Sequence, residues 1–312
     1  MKIKLVLITV FFFVIVLLIN PKAQPSKVTE GNNQLPIIDM HAHIHCLEEL
    51  IPWGAEFQGL KGCANKEEYF EKAYHLFRKN NVKAVVSSSL ELVEKWRSQD
   101  EDNRIIPALL MLTPTQWDMT SDRFETLAKS GKIKVFGELA PLYAGGTLND
   151  TGWKPYLKVC ERYDIPVVVH TGAGFPGEKN TWREKTRQRL GDPYLIEDIL
   201  VEYPKLRISM AHSGQEYHEH ALILMDLYPQ VYSDLAALLN FGPQMQRLCR
   251  EFLIKAKNDG ILDRVMFGSD MFMLPQHLEI ALDHLDSLEF LTEKDKRDIL
   301  YNNAARFLKL NE

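Results

Sequence analysis

The chain reads as an α/β protein, a (β/α)8 TIM barrel forming a single domain behind an N-terminal signal or anchor segment. Three observations predict this. Eight short runs rich in Val, Ile and Leu recur along the chain. They alternate with stretches of helical periodicity over about 275 residues, close to the roughly 250 typical of such barrels. Each run is apolar on both faces, as expected of parallel strands covered by helices.

The first run is Leu35-Pro36-Ile37-Ile38-Asp39-Met40, leading into His41. The second, 82–86, follows a helical stretch at 66–80. Runs at 105–112, 133–139, 166–170, 206–212, 231–235 and 265–270 complete the eight. Helical periodicity marks 151–163, 192–203, 215–228, 242–258, 275–289 and 293–309. A doubly wound open sheet competes with the barrel, but no glycine-rich phosphate turn follows the first run.

Ahead of the barrel, Met1-Lys2-Ile3-Lys4 is a short basic start and residues 5–19 carry no charge. The run breaks at Asn20-Pro21-Lys22-Ala23-Gln24. Such a stretch suits a signal peptide or membrane anchor over residues 1–23. Pro21 fits the minus-three position of a cleavage site after Ala23 poorly, and no cysteine near the break supports a lipid anchor. Residues 24–34 read as a flexible leader and 35–312 as the barrel. The expected location is exported, periplasmic or secreted, or anchored to the membrane through the N-terminus.

The composition, 46% hydrophobic and 25% charged, is that of a globular domain. A net charge of −5 argues against a general affinity for nucleic acid or anionic membrane surfaces, and the expected partner is a small-molecule substrate. A homo-oligomer is compatible with this composition. Cys46, Cys63, Cys160 and Cys249 are too scattered for a disulfide framework, although Cys46 and Cys63 could pair in an oxidising compartment. Cys160 and Cys249 fall in helix-like stretches and read as buried thiols.

The strand ends carry the chemistry. His41 and His43, two apart, project to one side of the first strand. The fourth strand ends in Glu138, the fifth in His170, the sixth in His212 and the eighth in Asp270. A barrel gathers these six at its C-terminal rim. Each alone could be a satisfied polar residue at a strand end, but burying all six calls for a shared partner, which a cation supplies.

These residues resemble the amidohydrolase superfamily of metal-dependent hydrolases. The resemblance spans about residues 36–309 and rests on Ile38-Asp39-Met40-His41-Ala42-His43, Val169-His170-Thr171-Gly172, Ala211-His212-Ser213-Gly214, Phe267-Gly268-Ser269-Asp270 and Asn302-Asn303-Ala304-Ala305-Arg306-Phe307-Leu308. Its nearest branch is similar to aminocarboxymuconate semialdehyde decarboxylase and related lactone hydrolases. The resemblance implies a divalent metal, zinc first, as one or two ions. His41, His43 and Asp270 would bind the first. His170 would be a fourth ligand in a single-metal site or join His212 at a second metal. Asp270 would also take a proton from the metal-activated water and return it to the leaving group, and His212 would share in catalysis. Many two-metal members carry a carboxylated lysine where this chain has Glu138, which either bridges two metals or orients a neighbouring group.

Other residues admit two readings. His45 shares the parity of His41 and His43 but falls past the strand. His75, His277 and His284 read as helix positions, and His218 and His220 lie on different faces of one helix. Asp39 is a candidate acceptor for a ligating imidazole, and Asp234, ending the seventh strand, could face the site. Lys179, Arg183, Lys185, Arg187 and Arg189, with Trp182, form either a lid that recognises an acidic group or a solvated face balanced by Glu178 and Glu184. Segment 46–65, with Trp53 and Phe57, is a second lid candidate. Tyr143, followed by Gly145 and Gly146, could shape the pocket. Tyr143 and Arg183 are thus the substrate-binding candidates. The expected function is an exported metal-dependent hydrolase acting on a C–O or C–N bond of a small substrate. A non-oxidative decarboxylase on the same site is the first alternative, and a non-enzymatic metal- or ligand-binding barrel the second. Glu138 also admits a nuclease, which the negative charge and the lack of a basic aromatic groove oppose.

Overall fold

Eight parallel strands pair in strict chain order: β1 (Ile37–His43), β2 (Val82–Ser88), β3 (Ile105–Met111), β4 (Val135–Leu139), β5 (Val167–His170), β6 (Ile208–Ala211), β7 (Val231–Asp234) and β8 (Val265–Met266). The computed structural model describes residues 35–44, 52–174, 177, 183–272 and 274–310. The N-terminal apolar segment, His45, Cys46, Glu178, Lys179 and Trp182 lie outside them. Past Met266 the eighth strand loses regular pairing yet still closes on the first. The Met40 N–H donates to the Phe267 carbonyl at 2.9 Å, and the Asp270 N–H to the His41 carbonyl at 2.8 Å. The sheet is a nearly closed TIM barrel. No helix among the described residues is long and apolar enough to cross a membrane.

One helix follows each strand: α1 (Lys66–Lys79), α2 (Leu90–Ser98), α3 (Ser121–Lys129), α4 (Lys154–Tyr163), α5 (Glu197–Glu202), α6 (His218–Leu227), α7 (Pro243–Asn258) and α8 (Gln276–Asp286). Helices α2 and α3 add to those expected from periodicity. Each has nine residues, too few turns for a clear apolar stripe, and each starts at a side-chain cap: Ser89 accepts the Leu92 N–H, and Thr120 that of Arg123. The stretch expected as one helix at 293–309 is Glu293–Arg297, a π turn Asp298–Asn302 and Asn303–Leu308.

Two apolar layers result. One joins strands to helices. The other fills the barrel, taking Ile38 and Met40 from β1 and Val85, Ala108, Val135, Val168, Ala211, Tyr232 and Met266 from the other seven strands. Phe307 of the last helix plugs its lower end, 4.9 Å from the Tyr232 ring. In β1 the pairing with β2 shifts register between Asp39 and Ala42. Ala42 and Ile44 therefore join the outer layer while Ile38 and Met40 stay in the inner one. This bulge lets one strand place Met40 in the inner core and His41 and His43 at the rim above it. Cys63, Cys160 and Cys249 are buried free thiols.

Candidate metal centre

His41 and His43 leave β1 side by side, with their Nε2 atoms 3.0 Å apart. Their other nitrogens face acceptors. His41 Nδ1 lies 3.2 Å from Asp234 Oδ2, and His43 Nδ1 lies 3.2 Å from the Ser87 carbonyl. A ring nitrogen facing a carbonyl or carboxylate carries the proton, so the opposite nitrogen presents its lone pair. With both imidazoles neutral, two lone pairs converge, and Asp270 Oδ1 lies 3.8 and 3.6 Å from the two Nε2 atoms.

Glu138 is the hub of the remaining contacts. Its Oε2 lies 3.7 and 3.5 Å from the two Nε2 atoms of His41 and His43. Its Oε1 lies 2.7 Å from His170 Nδ1 and 3.2 Å from His212 Nε2. His212 Nδ1 faces the Ala236 carbonyl at 3.2 Å, so it too directs Nε2 inward. Gly137 makes the position of Glu138 attainable: its φ is +150°, and a Cβ there would sit 2.4 Å from the Val168 carbonyl oxygen. Ser87 then holds this stretch, its Oγ donating to the Gly137 carbonyl and accepting the Glu138 N–H, both at 2.6 Å. His212 and Asp270 themselves sit in left-handed backbone, at φ 62° and 50°.

The electrostatics follow from three buried carboxylates against four imidazoles. Burial disfavours charge on His41, yet Asp234 and Glu138 outweigh it and hold its pKa well above the ordinary imidazole value. Burial opposes ionisation of Glu138 too, but His170 and His41 hold it well below the usual carboxylate range. His43 is lowered, by burial first and by the neighbouring His41 charge second. Such a cluster calls for positive charge at its centre. Among the described residues the ion pairs of Glu138 and Asp270 are all with histidines. Two overlapping donor groups, His41–His43–Asp270 and His41–Glu138–His212, each have ligand atoms within 4.8 Å of one another. Imidazole and carboxylate donors with lone pairs turned inward fit a divalent cation.

The structure thus gathers all six rim residues. His170 belongs to the Glu138–His212 side, its Nδ1 also 3.2 Å from His212 Nε2. Asp39 does not serve an imidazole: its carboxylate accepts the His41 and Ser269 N–H groups and the Ser269 hydroxyl, because its side chain lies below the bulge and faces the seam with β8. Asp234 takes the imidazole instead. Ser87 was not singled out by sequence; its only signal is a hydroxyl ending an apolar run.

Above the cluster lies a cavity of about 360 Å³. His43, Glu138, His170, His212 and Asp270 form its polar end, and Leu110, Phe241, Met245 and Phe272 wall the rest. A small hairpin, Glu56–Phe57 with Leu60–Lys61, adds Phe57, packed 6.1 Å from Phe241 and 6.2 Å from Phe272. Trp53 packs on Tyr69 in the outer layer instead. Tyr143 borders the cavity, its hydroxyl 3.4 Å from His170 Nε2, and the Arg183 guanidinium lies 4.5 Å from its ring centroid. Arg183 is buried, whereas Lys185, Arg187 and Arg189 are exposed. Gly145 and Gly146 do not border the cavity. His218 and His220 take separate partners, the Gln215 carbonyl and Asp192.

Fold and site together define a (β/α)8 barrel with a cluster of histidines and carboxylates that could hold a metal ion at the C-terminal ends of its strands. The amidohydrolase sequence profile matches residues 38–310, and the chain belongs to the amidohydrolase family, a family of metal-dependent enzymes. Among curated proteins it is similar to Protein fluG of Emericella nidulans, 23% identical over 163 residues, which are 47% of this chain and 18% of that protein. The match thus spans less than a fifth of that relative. Among solved structures it is similar to a probable 2-pyrone-4,6-dicarboxylic acid hydrolase from Acinetobacter baumannii with citric acid bound: 15% identity, 88% of this chain and 100% of that one, TM-score 0.60. It is also similar to a dihydroxybenzoic acid decarboxylase from Polaromonas sp. JS666 with bound manganese and an inhibitor: 12% identity, 89% and 98% covered, TM-score 0.60. At these identities the likeness is one of fold.

Proposed function

We propose that this enzyme hydrolyses a C–O or C–N bond of a small, partly apolar substrate that carries an anionic group. The carrying observation is the convergence of imidazole Nε2 atoms and the Asp270 carboxylate at one end of a cavity walled by Leu110, Phe241, Met245 and Phe272 and bordered by Tyr143 and Arg183. His41, His43 and Asp270 would hold a first divalent cation, zinc first, and Glu138, His170 and His212 a second. Such a cation, when bound, polarises a substrate oxygen and makes a nearby water acidic enough to react at neutral pH.

The chain's own groups do the rest. Asp270, at the cavity wall, accepts a proton from the attacking water and passes it to the leaving group. His212, whose Nδ1 lies 3.9 Å from Asp270 Oδ2, is the neighbour placed to stabilise that exchange. Arg183, braced on the Tyr143 ring, binds the substrate's anionic group. Phe57, Phe241 and Phe272 exclude water from the far wall.

A second reading, non-oxidative decarboxylation, is favoured by the aromatic walls, which suit a planar carboxylate presented to the same polar end. The charge-free run at 5–19 behind Lys2 and Lys4 supports export or membrane anchoring. The test assays the purified full chain and Asp270→Asn on lactone, amide and aryl-carboxylate panels with added Zn²⁺ or Mn²⁺. Hydrolysis that falls about 10²–10⁴-fold in the variant is expected. Carbon dioxide release without hydrolysis would replace the first reading with the second. A folded wild type inert on every panel would overturn both.

A further inference from the structure

Asp234 ends β7, is fully buried and does not border the cavity. It touches no substrate, yet its oxygens reach both halves of the metal centre. We propose that Asp234 is the positioning residue of this centre, one carboxylate that sets which nitrogen His41 presents and where His212 stands. The proposal rests on the metal reading above and adds a residue to it.

Asp234 sets a tautomer. Asp234 Oδ2 lies 3.2 Å from His41 Nδ1. A carboxylate there keeps the proton on Nδ1, which leaves the lone pair on Nε2, the atom turned toward His43 and Asp270.

Asp234 also holds backbone. Asp234 Oδ1 accepts the His212 N–H at 3.0 Å and the Ala236 N–H at 3.1 Å. His212 opens a run of four residues at φ 62°, 50°, 74° and 46°, three of them not glycine. Such a run is unfavourable and persists only where its surroundings over-determine it. Asp234 does this twice, because its main-chain carbonyl also accepts the Ser213 hydroxyl at 2.6 Å. The Ala236 it holds is the residue whose carbonyl faces His212 Nδ1. Both inward-facing nitrogens therefore depend on the same carboxylate.

Asp234→Asn separates positioning from mere structure. Two backbone N–H groups demand an acceptor, so the amide oxygen takes the place of Oδ1 and the NH₂ faces His41. A donor there forces Nδ1 to accept, moves the proton to Nε2 and removes that lone pair from the centre. The full chain, stripped of metal with a chelator, is titrated with Zn²⁺ in competition with a chromophoric chelator, and its metal-free melting temperature is recorded. The expected result is an affinity about 10–100-fold weaker in Asp234→Asn with little change in metal-free melting. Asp234→Ala should lose both affinity and melting temperature. An Asn variant binding within about threefold of wild type overturns the proposal while leaving the metal reading intact, since the losses expected on this account are tenfold or more. A wild type that binds no Zn²⁺ overturns both. Should the Asn variant fail to fold, ¹⁵N-histidine spectra of the Zn²⁺-loaded wild type decide. They should show His41 bound through Nε2 with a protonated Nδ1, and binding through Nδ1 would refute the assignment.

Discussion

His277 shows how one residue's surroundings set its chemistry. It is fully buried on α8, and its ring packs 5.1 Å from Phe241, 6.0 Å from Phe272 and 6.3 Å from Phe57. Neither ring nitrogen has a hydrogen-bond partner among the described residues. Burial lowers its pKa from 6.5 to about 4, the Asp270 charge offsetting only part. The unfolded chain therefore takes up a proton near 6.5 and the folded chain only near 4. Stability from this residue is complete above pH 6.5 and is lost as pH falls through 4, on the order of 3 kcal/mol. Asp39 acts oppositely: burial, partly offset by its Ser269 and His41 hydrogen bonds, raises its pKa from 3.8 to about 6. Its contribution is present at low pH and is lost as pH rises through 6. Comparing His277→Leu with wild type isolates the first effect. The variant should gain relative stability from pH 6.5 down to 4 in urea unfolding, and a pH-independent difference would contradict the account. At this scale the six rim residues were legible, because each ends an apolar run with a group that is costly to bury alone. The roles of Asp39 and Asp234 were not, because hydrogen-bond partners across the barrel depend on a bulge that parity along one strand does not encode.

At the scale of elements, strand order and the strand–helix alternation were legible from apolar periodicity. Helices α2 and α3 escaped because nine residues carry only two or three buried apolar positions each, Val93 and Trp96 or Phe124, Leu127 and Ala128. Regular pairing in β8 stops at Met266: the Phe267 N–H donates to the Ile299 carbonyl of the π turn, while the Phe267 carbonyl and the Asp270 N–H bond to β1. The last helix is more than a cover. Ala304, Ala305 and Phe307 belong to the inner layer, so this helix completes the core from below. Phe307→Ala should cost about 3–5 kcal/mol in denaturant unfolding. A cost below about 1 kcal/mol, the scale of a surface substitution, would show that the plug is not part of the core.

For the whole molecule, closure between β1 and β8 makes a rim site possible. The seam hydrogen bonds bring Asp270 beside His41 and His43 from the opposite end of the chain. Asp39 ties that seam from below through Ser269, and Asp234 ties β7 and the segment after β6 to β1. The barrel and its polar rim were readable because strand ends are marked in sequence. The walls of the cavity were less so, since Phe57, Arg183 and Tyr143 come from loops whose paths follow tertiary packing. Whether this rim holds a divalent cation is read from the melting of the chelator-treated full chain across a Zn²⁺ titration. The melting temperature should climb with free Zn²⁺, as binding to the folded state alone requires, and His41→Ala with His43→Ala should abolish the climb. A wild-type chain that stays folded, retains no Zn²⁺ and melts at the same temperature throughout would contradict a cation site at the rim.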